Sequence, residues 1–405
     1  MTTRNSYRPD EPFRRETQRV SDTTTRRVFL RRSAAQAIAG VTAATLSSCS
    51  VPAQERSKQR TIQTVLGPVF PAELGATLMH EHAPTVDWSE LWNLPVGPTE
   101  SRQREMVSET EKLLESFHQS IPEQYRPGAI VEATPIRVGR YPKLLVDLAN
   151  RTNVHIIAST GFWCEAMAPQ HPWAIRMSLE SDGIGQMARL FIREISQGME
   201  DPTGAWGEKF TDVRVGIIKI GTSTYLRPTE RLIHVAAAHA NKETGCPITT
   251  HTTDGGGLEQ ATLLVEHGAV PQKIAIGHQG YRDDRANDEA NEYHERLADM
   301  GVRVQFDRVG HASYPVDSQA RQIKHLLDAG YAEHILVSHD HVPYFYGEFS
   351  TPSQSSSAWN ASNADFTVVT RRLVPELKKL GVSDTHLRRI LVENPRDVLA
   401  FDAPS

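Results

Sequence analysis

Beyond residue 60, short apolar runs alternate with longer segments in which apolar residues recur every three or four positions. The short runs are rich in Val, Ile and Thr and are bounded by Gly, Pro or charged residues, a pattern typical of buried β-strands. The pattern predicts eight strands: Ala76–His82, Ala129–Thr134, His155–Gly161, Val213–Gly221, Pro247–Thr252, Lys273–His278, Val302–Asp307 and His334–Asp340.

The longer segments have helical periodicity, and one of them starts beside Pro228 and stops at Gly245. The other predicted helices are Leu258–Gly268, Ala286–Gly301, Ser318–Gly330, Asp365–Gly381 and Asp384–Phe401. Strands that alternate with helices indicate an α/β fold with a parallel sheet, and eight such units predict a (β/α)8 TIM barrel over residues 61–405. An open doubly wound sheet is the alternative, but no Gly-rich phosphate-binding turn opens a first helix.

Ionisable side chains occur at the carboxyl ends of several predicted strands. Side chains alternate between the two faces of a strand, so His80 and His82 share one face and Glu81 takes the other. By the same rule, Lys219 and His251 lie on the inner faces of the fourth and fifth strands.

The sixth and eighth strands also end on such residues. His278 follows Ile274 and Ile276, and Asp340 shares a face with Leu336. A single buried histidine is more often a core residue than a ligand. The convergence of all these residues on the carboxyl end of a barrel, where barrel enzymes hold their active sites, predicts a metal centre.

Five segments carrying these residues closely resemble the phosphotriesterase family of the amidohydrolase superfamily. They are Gly75–His82 (GATLMHEH), Gly216–Thr222 (GIIKIGT), Pro247–Thr252 (PITTHT), Ile276–His278 (IGH) and Val337–Asp340 (VSHD). Thr160-Gly161 and Asn394-Pro395 match as well, so the resemblance extends in order over residues 61–403. The lysine of the fourth strand distinguishes this family from deaminase-like relatives that hold one metal.

The resemblance implies two divalent metal ions. The buried ion would be held by His80, His82 and Asp340, and the more exposed ion by His251 and His278. Lys219 would be carbamylated and would bridge both ions. Carbamate formation needs a neutral amine, and apolar burial near cations lowers the pKa of a lysine. Zinc suits these ligands best, although manganese, cobalt or iron would also fit.

The implied reaction is hydrolysis of a small-molecule phosphotriester, ester or lactone by a hydroxide shared between the metals, with Asp340 as the catalytic residue that takes its proton. A lactonase with little organophosphate activity is the close alternative. A non-catalytic metal-binding surface lipoprotein and a mononuclear deaminase-like enzyme are the more distant ones.

Residues near the strand ends give hints about the substrate pocket. Trp163 lies where organophosphate hydrolases of the family carry Trp and their lactonase relatives usually carry Tyr; it would form an aromatic wall or simply pack. Arg308 belongs to a more lactonase-like segment and would line the pocket or make a surface salt bridge. Tyr344, in the loop after the eighth strand, would contribute to an apolar lid or pack on the rim. Where family members often carry an acidic proton-relay residue this chain has Tyr281, which leaves Asp283 as a substitute.

Residues 1–60 are predicted to form an export signal and a polar tether. A twin-arginine pattern, Thr25–Leu30 (TRRVFL), precedes a short apolar run from Ala34 to Leu46. The run closes at Leu46-Ser47-Ser48-Cys49, which resembles a lipobox, so Cys49 would be acylated; ordinary cleavage nearby is the alternative. The protein is therefore expected to be a periplasmic or cell-surface lipoprotein that meets the membrane only through a lipid anchor.

Charge and cysteine content limit the kinds of partner and cross-link that the protein is expected to have. The net charge is −5, with 44 basic and 49 acidic residues, and no long basic run follows the leader, which argues against a nucleic-acid partner. Three cysteines do not make a disulfide framework, and Cys164 and Cys246 are expected at opposite ends of the barrel, too far apart to bond. Family resemblance also suggests a homodimer.

Overall fold

The structure is a computed structural model of the 405-residue chain. It describes residues 60–86, 98–164, 171–252, 255–280, 288–311, 313–342, 345–346 and 365–402. The predicted leader, including Cys49, lies outside the described residues, as do Tyr281, Asp283 and Tyr344. None of the described helices combines the length and apolar character needed to cross a bilayer.

Eight parallel strands form the central sheet, and all eight predicted strands are confirmed, most of them with shorter bounds. The described strands are β1 (Ile62–Thr64), β2 (Gly67–Val69), β3 (Thr77–Glu81), β4 (Thr85–Val86), β5 (Gly128–Glu132), β6 (Val154–Thr160), β7 (Ile217–Gly221), β8 (Ile248–His251), β9 (Ile274–Ile276), β10 (Arg303–Phe306), β11 (Ile335–Val337) and β12 (Phe345–Tyr346). The central sheet has the order β11-β10-β9-β8-β7-β6-β5-β3, and β1 with β2 and β4 with β12 form two small separate sheets.

The first and last central strands meet, which closes the sheet into a barrel. The backbone N–H of Asp340 donates to the carbonyl of His80 at 3.1 Å, and that of His82 donates to the carbonyl of His341 at 3.0 Å. The predicted TIM barrel is therefore confirmed, with three predicted metal ligands, His80, His82 and Asp340, at its seam.

Helices surround the barrel. Their bounds are α1 (Glu100–Ser120), α2 (Pro142–Ala149), α3 (Pro172–Ser178), α4 (Gly183–Ser196), α5 (Pro228–Thr244), α6 (Gly257–Glu266), α7 (Asp288–Asp299), α8 (Val316–Asp328), α9 (Val374–Lys379), α10 (Asp384–Arg388) and α11 (Asn394–Leu399). Helix α5 has the predicted boundaries because Pro228 needs no N–H donor in the first turn and Gly245 adopts the left-handed conformation, with φ 74°, that ends a helix.

The two helices predicted nearest the C-terminus are each interrupted. Val369–Leu373 and Arg389–Glu393 are π-helical and run into α9 and α11. Pro375 and Pro395 open those two helices. A proline removes one backbone donor and crowds the preceding turn, which is where a π-turn relieves the mismatch.

The core has two layers. Met79, Ala129, Ile217, Ala275 and Leu336 pack together inside the barrel, while a larger apolar cluster fills the space between strands and helices. The β1–β2 hairpin and α11 cover the end of the barrel where the strands begin. The polar side chains of the predicted metal centre lie at the opposite end, where the strands finish. Cys164 and Cys246 are both buried and do not form a disulfide, as predicted.

Candidate metal centre

The structure brings the six predicted ligands together at the carboxyl ends of the strands. His80, His82, Lys219, His251, His278 and Asp340 are all at least nine-tenths buried. The ligand atoms of His80, His278 and Asp340 lie within 4.8 Å of one another. Lys219 Nζ is 2.8 Å from His80 Nε2, and His82 Nε2 is 3.1 Å from Asp340 Oδ1.

Simple alternation does not explain how two of these residues reach the site. Met79 and Ala275 are the inward-facing residues of β3 and β9, so strict alternation would send His80 and His278 to the other face. In β3 the register with β5 shifts between Leu78 and Glu81, which brings His80 inside. His278 follows the end of β9 with a left-handed backbone, φ 57°, and this turn swings its ring to the centre. The predicted positions are observed, but the period-two argument for them was wrong.

Glu81 was predicted only to take the face opposite that of His80 and His82. It is fully buried, and its carboxylate accepts hydrogen bonds from Ser338, His339 and His341 at the end of the last strand. Burial raises its pKa to about 8, although the three donors act in the opposite direction.

Asp307 is a second buried carboxylate whose role the sequence analysis missed. Its Oδ2 is 2.8 Å from His80 Nδ1, and its Oδ1 is 2.7 Å from His278 Nδ1. Gln305 donates to it as well, at 2.6 Å. Gln305 and Asp307 are two residues apart at the end of β10, so the alternation rule applied to that strand would have placed both inside the barrel.

These contacts fix which nitrogen of His80, His82 and His278 faces the centre. Nδ1 of His80 and of His278 is engaged by Asp307, and Nδ1 of His82 lies 2.7 Å from Thr134 Oγ1. When Nδ1 carries the hydrogen, Nε2 carries a lone pair that points into the site. A carboxylate or hydroxyl on the outer nitrogen is the usual arrangement for histidines that bind a metal.

Burial favours the neutral forms of His251, His278 and Lys219. It lowers the pKa of His278 to about 3 and that of His251 well below its usual value, with repulsion between the two rings adding to the shift of His251. It lowers the pKa of Lys219 to about 8. Burial raises the pKa of Asp340, but the neighbouring His80 and the hydrogen bond from His82 hold it well below its usual range.

The donor set fits divalent cations. Neutral imidazole nitrogens and ionised carboxylate oxygens are the ligands that zinc and similar metals take. His278 Nε2 faces His251 Nδ1 at only 2.7 Å, and Lys219 Nζ faces a lone pair of His80. Groups this close need a proton or a cation between them, so the arrangement is chemically consistent with a metal centre.

Two predicted pocket residues lie beside the cluster. The Trp163 ring is 4.7 Å from the His251 ring and 5.8 Å from Lys219 Nζ. Arg308 Nε donates to Asp340 Oδ2 at 3.2 Å, and its side chain is 13% exposed, so it makes a partly buried ion pair with a predicted ligand rather than a surface salt bridge. The third predicted pocket residue, Tyr344, lies outside the described residues.

Comparison with known proteins gives consistent matches over the barrel. The phosphotriesterase family model matches residues 60–399. The chain is 28% identical over 341 residues to the phosphotriesterase homology protein of Mycobacterium tuberculosis, covering 83% of this chain and 97% of that one. It is 28% identical over 335 residues to the aryldialkylphosphatase of Saccharolobus solfataricus, covering 80% of this chain and 94% of that one. A mutant of the phosphotriesterase-like lactonase of Deinococcus radiodurans superposes with a TM-score of 0.69 at 28% identity, covering 84% of this chain and 100% of that one.

Proposed function

The chain belongs to the phosphotriesterase family, and from this premise we propose that it is a binuclear metal-dependent hydrolase of phosphotriesters or carboxylic esters. His80, His82 and Asp340 would hold one ion, and His251 and His278 the other. Lys219, carbamylated on Nζ, would bridge them. When bound, two divalent cations, which we take to be zinc, would lower the pKa of a shared water and polarise the phosphoryl or carbonyl oxygen of the substrate.

The observation that carries the proposal is the meeting of these six residues at one end of the barrel. Asp307 strengthens it, because one carboxylate orients two imidazoles from different strands toward the same point. A cluster of core histidines would have no need for shared orientation of this kind.

The protein's own groups supply proton handling and orientation. Asp340 is ionised at neutral pH, so it can accept a proton from the attacking water. Arg308 binds Oδ2 of the same carboxylate and keeps it from rotating. The lowered pKa of Lys219 favours the neutral amine, which adds to carbon dioxide with loss of one proton to form the carbamate.

A lactone is the second candidate substrate, and the similarity to a lactonase structure favours it. Turnover of paraoxon and of a lactone panel should be measured in parallel with zinc-loaded protein. We expect hydrolysis that disappears on chelation, returns with zinc, and accompanies about two metal ions per chain. Protein made with ample zinc or manganese that holds no metal would contradict the proposal. A preference for lactones by orders of magnitude would assign organophosphate turnover to a side reaction.

Asp307→Asn tests the shared orientation of the histidines. An asparagine cannot accept hydrogen from both rings, so we expect zinc affinity and kcat to fall by about 10–100-fold, the usual cost of losing such a partner. Zinc affinity is measured by competition with a chromophoric chelator. Asp201→Asn is the matched control, because Asp201 is a buried carboxylate bonded to Thr203 and Lys209. Equal zinc affinity in both variants would argue against the role of Asp307.

A further inference from the structure

Two of the proposed ligands have a backbone conformation that is costly for residues other than glycine. His278 and Asp340 both have φ 57°. Such conformations persist only where the surroundings hold them. At His278 the holding group is Asp307, whose Oδ1 accepts both the backbone N–H, at 2.8 Å, and the ring nitrogen.

Glu81 stabilises the backbone conformation of Asp340 in the same way. Oε1 of Glu81 accepts the backbone N–H of His339 at 2.9 Å, and Oε2 accepts that of His341 at 2.7 Å. Ser338 Oγ donates to Oε1 at 2.6 Å. The backbone N–H groups of the residues immediately before and after Asp340 therefore both donate to one carboxylate, and the left-handed residue lies between them.

Glu81 also lies between His80 and His82 in the chain. The backbone N–H of His80 donates to Ser338 Oγ, at 2.9 Å, so the same network continues into the first strand. If the carboxylate were lost, two buried amides would lose their acceptor, at a cost that favours a different turn. A turn that relaxes would move the Asp340 carboxylate away from the imidazoles.

We propose that Glu81 is a positioning residue that fixes the Asp340 carboxylate relative to His80 and His82. The proposal rests on the proposed function, since it concerns the ligands of that metal centre. Glu81 lies in the closing seam of the barrel, so a purely structural role would predict loss of stability alone. A positioning role predicts weaker metal binding in protein that is still folded.

Glu81→Gln separates the two roles. A carboxamide has one acceptor oxygen, and its NH2 group would face a backbone N–H. One of the two backbone hydrogen bonds on either side of Asp340 is therefore lost. We expect zinc affinity to fall by about 10–100-fold. At saturating zinc we expect kcat to fall while KM stays within about twofold, because substrate contacts are unchanged but the acceptor of the proton is displaced.

Glu230→Gln is the matched control. Glu230 is also fully buried, and it accepts from the backbone N–H groups of Ser223 and Arg227 and from the Ser223 hydroxyl. Both variants should lower the urea midpoint of unfolding, and only Glu81→Gln should weaken zinc binding.

If Glu81→Gln does not fold, Ser338→Ala decides the question. It removes one of the three donors to Glu81 and also the acceptor of the His80 N–H, and it leaves both backbone bonds to Glu81. We expect a several-fold loss of zinc affinity. Equal zinc affinity and an unchanged kcat in the folded variants would overturn the positioning role while leaving the hydrolase proposal intact. Wild-type protein without bound metal would instead overturn the proposed function, and this inference with it.

Discussion

Lys219→Met is expected to lower kcat by about 10³-fold and to reduce bound metal from two ions to one or none. Lys219 is fully buried, its Nζ lies 2.8 Å from His80 Nε2, and burial lowers its pKa to about 8. Methionine has a similar length and no charge, so it preserves packing while removing the amine that is proposed to carry the bridging carbamate. Turnover and metal content by mass spectrometry are the measurements.

Lys273→Met is the control for removing a buried lysine. Lys273 also has a pKa lowered to about 8 by burial, but its Nζ donates to three backbone carbonyls at the end of α11. We expect this variant to lose stability and to keep both metal ions. Reconstitution of metal-free wild type with and without bicarbonate gives a second readout, since carbamylation requires carbon dioxide. Full activity and two ions in Lys219→Met would exclude the bridging role.

The strands were predictable because a barrel strand is buried on both faces. Every residue of β5, β7, β8 and β11 is buried, and in sequence this appears as a short apolar run. Their ends were less predictable, since a run such as Val213–Gly221 contains loop residues that resemble a strand in composition. The helix stop at Gly245 was clear because glycine adopts the required left-handed conformation without steric cost.

The site was predictable from residue type and position, and alternation along β10 also indicates Asp307, whereas nothing in the sequence indicates the role of Glu81. His278 and Asp340 depend on left-handed turns, and His80 depends on a register shift, neither of which leaves a periodic signal. Asp307 is hydrogen-bonded to His278, which lies 29 positions earlier in the chain. Glu81 is hydrogen-bonded to His341, which lies 260 positions later. Contacts of that range follow from the closed sheet and are invisible to local pattern analysis.

A large loss of stability is expected when metal-free protein is acidified from pH 6.5 to pH 5. Among the described residues, burial lowers the pKa of His278 and His339 to about 3. It lowers the pKa of His171, His294 and His341 to about 4. The unfolded chain takes up protons on these five rings below pH 6.5, whereas the folded chain does not, so stability falls as the pH falls.

Two buried carboxyls act in the opposite direction. The pKa of Glu81 is raised to about 8 and that of Glu132 to about 7, both by burial, so the folded chain binds protons there that the unfolded chain lacks until about pH 4.5. The unfolded chain binds about one more proton than the folded one at pH 6.5, where its imidazoles are half protonated, and about three more at pH 5. The average of about two protons corresponds to about 3 kcal/mol per pH unit, so the loss over 1.5 pH units is about 4 kcal/mol. That approaches the whole stability of a marginal domain, about 5 kcal/mol.

Urea unfolding of chelated protein between pH 7 and pH 5 measures this effect. His294→Gln should reduce the slope by about one proton, or about 1.4 kcal/mol per pH unit, because the amide can replace the bond from His294 Nε2 to the Gln279 carbonyl without titrating. His267→Gln, at an exposed ring, should leave the slope unchanged. A midpoint that stays constant from pH 7 to pH 5 would mean that the buried rings gain protons in the folded state. A metal centre requires neutral imidazoles, and metal binding rather than burial would then have to keep them neutral.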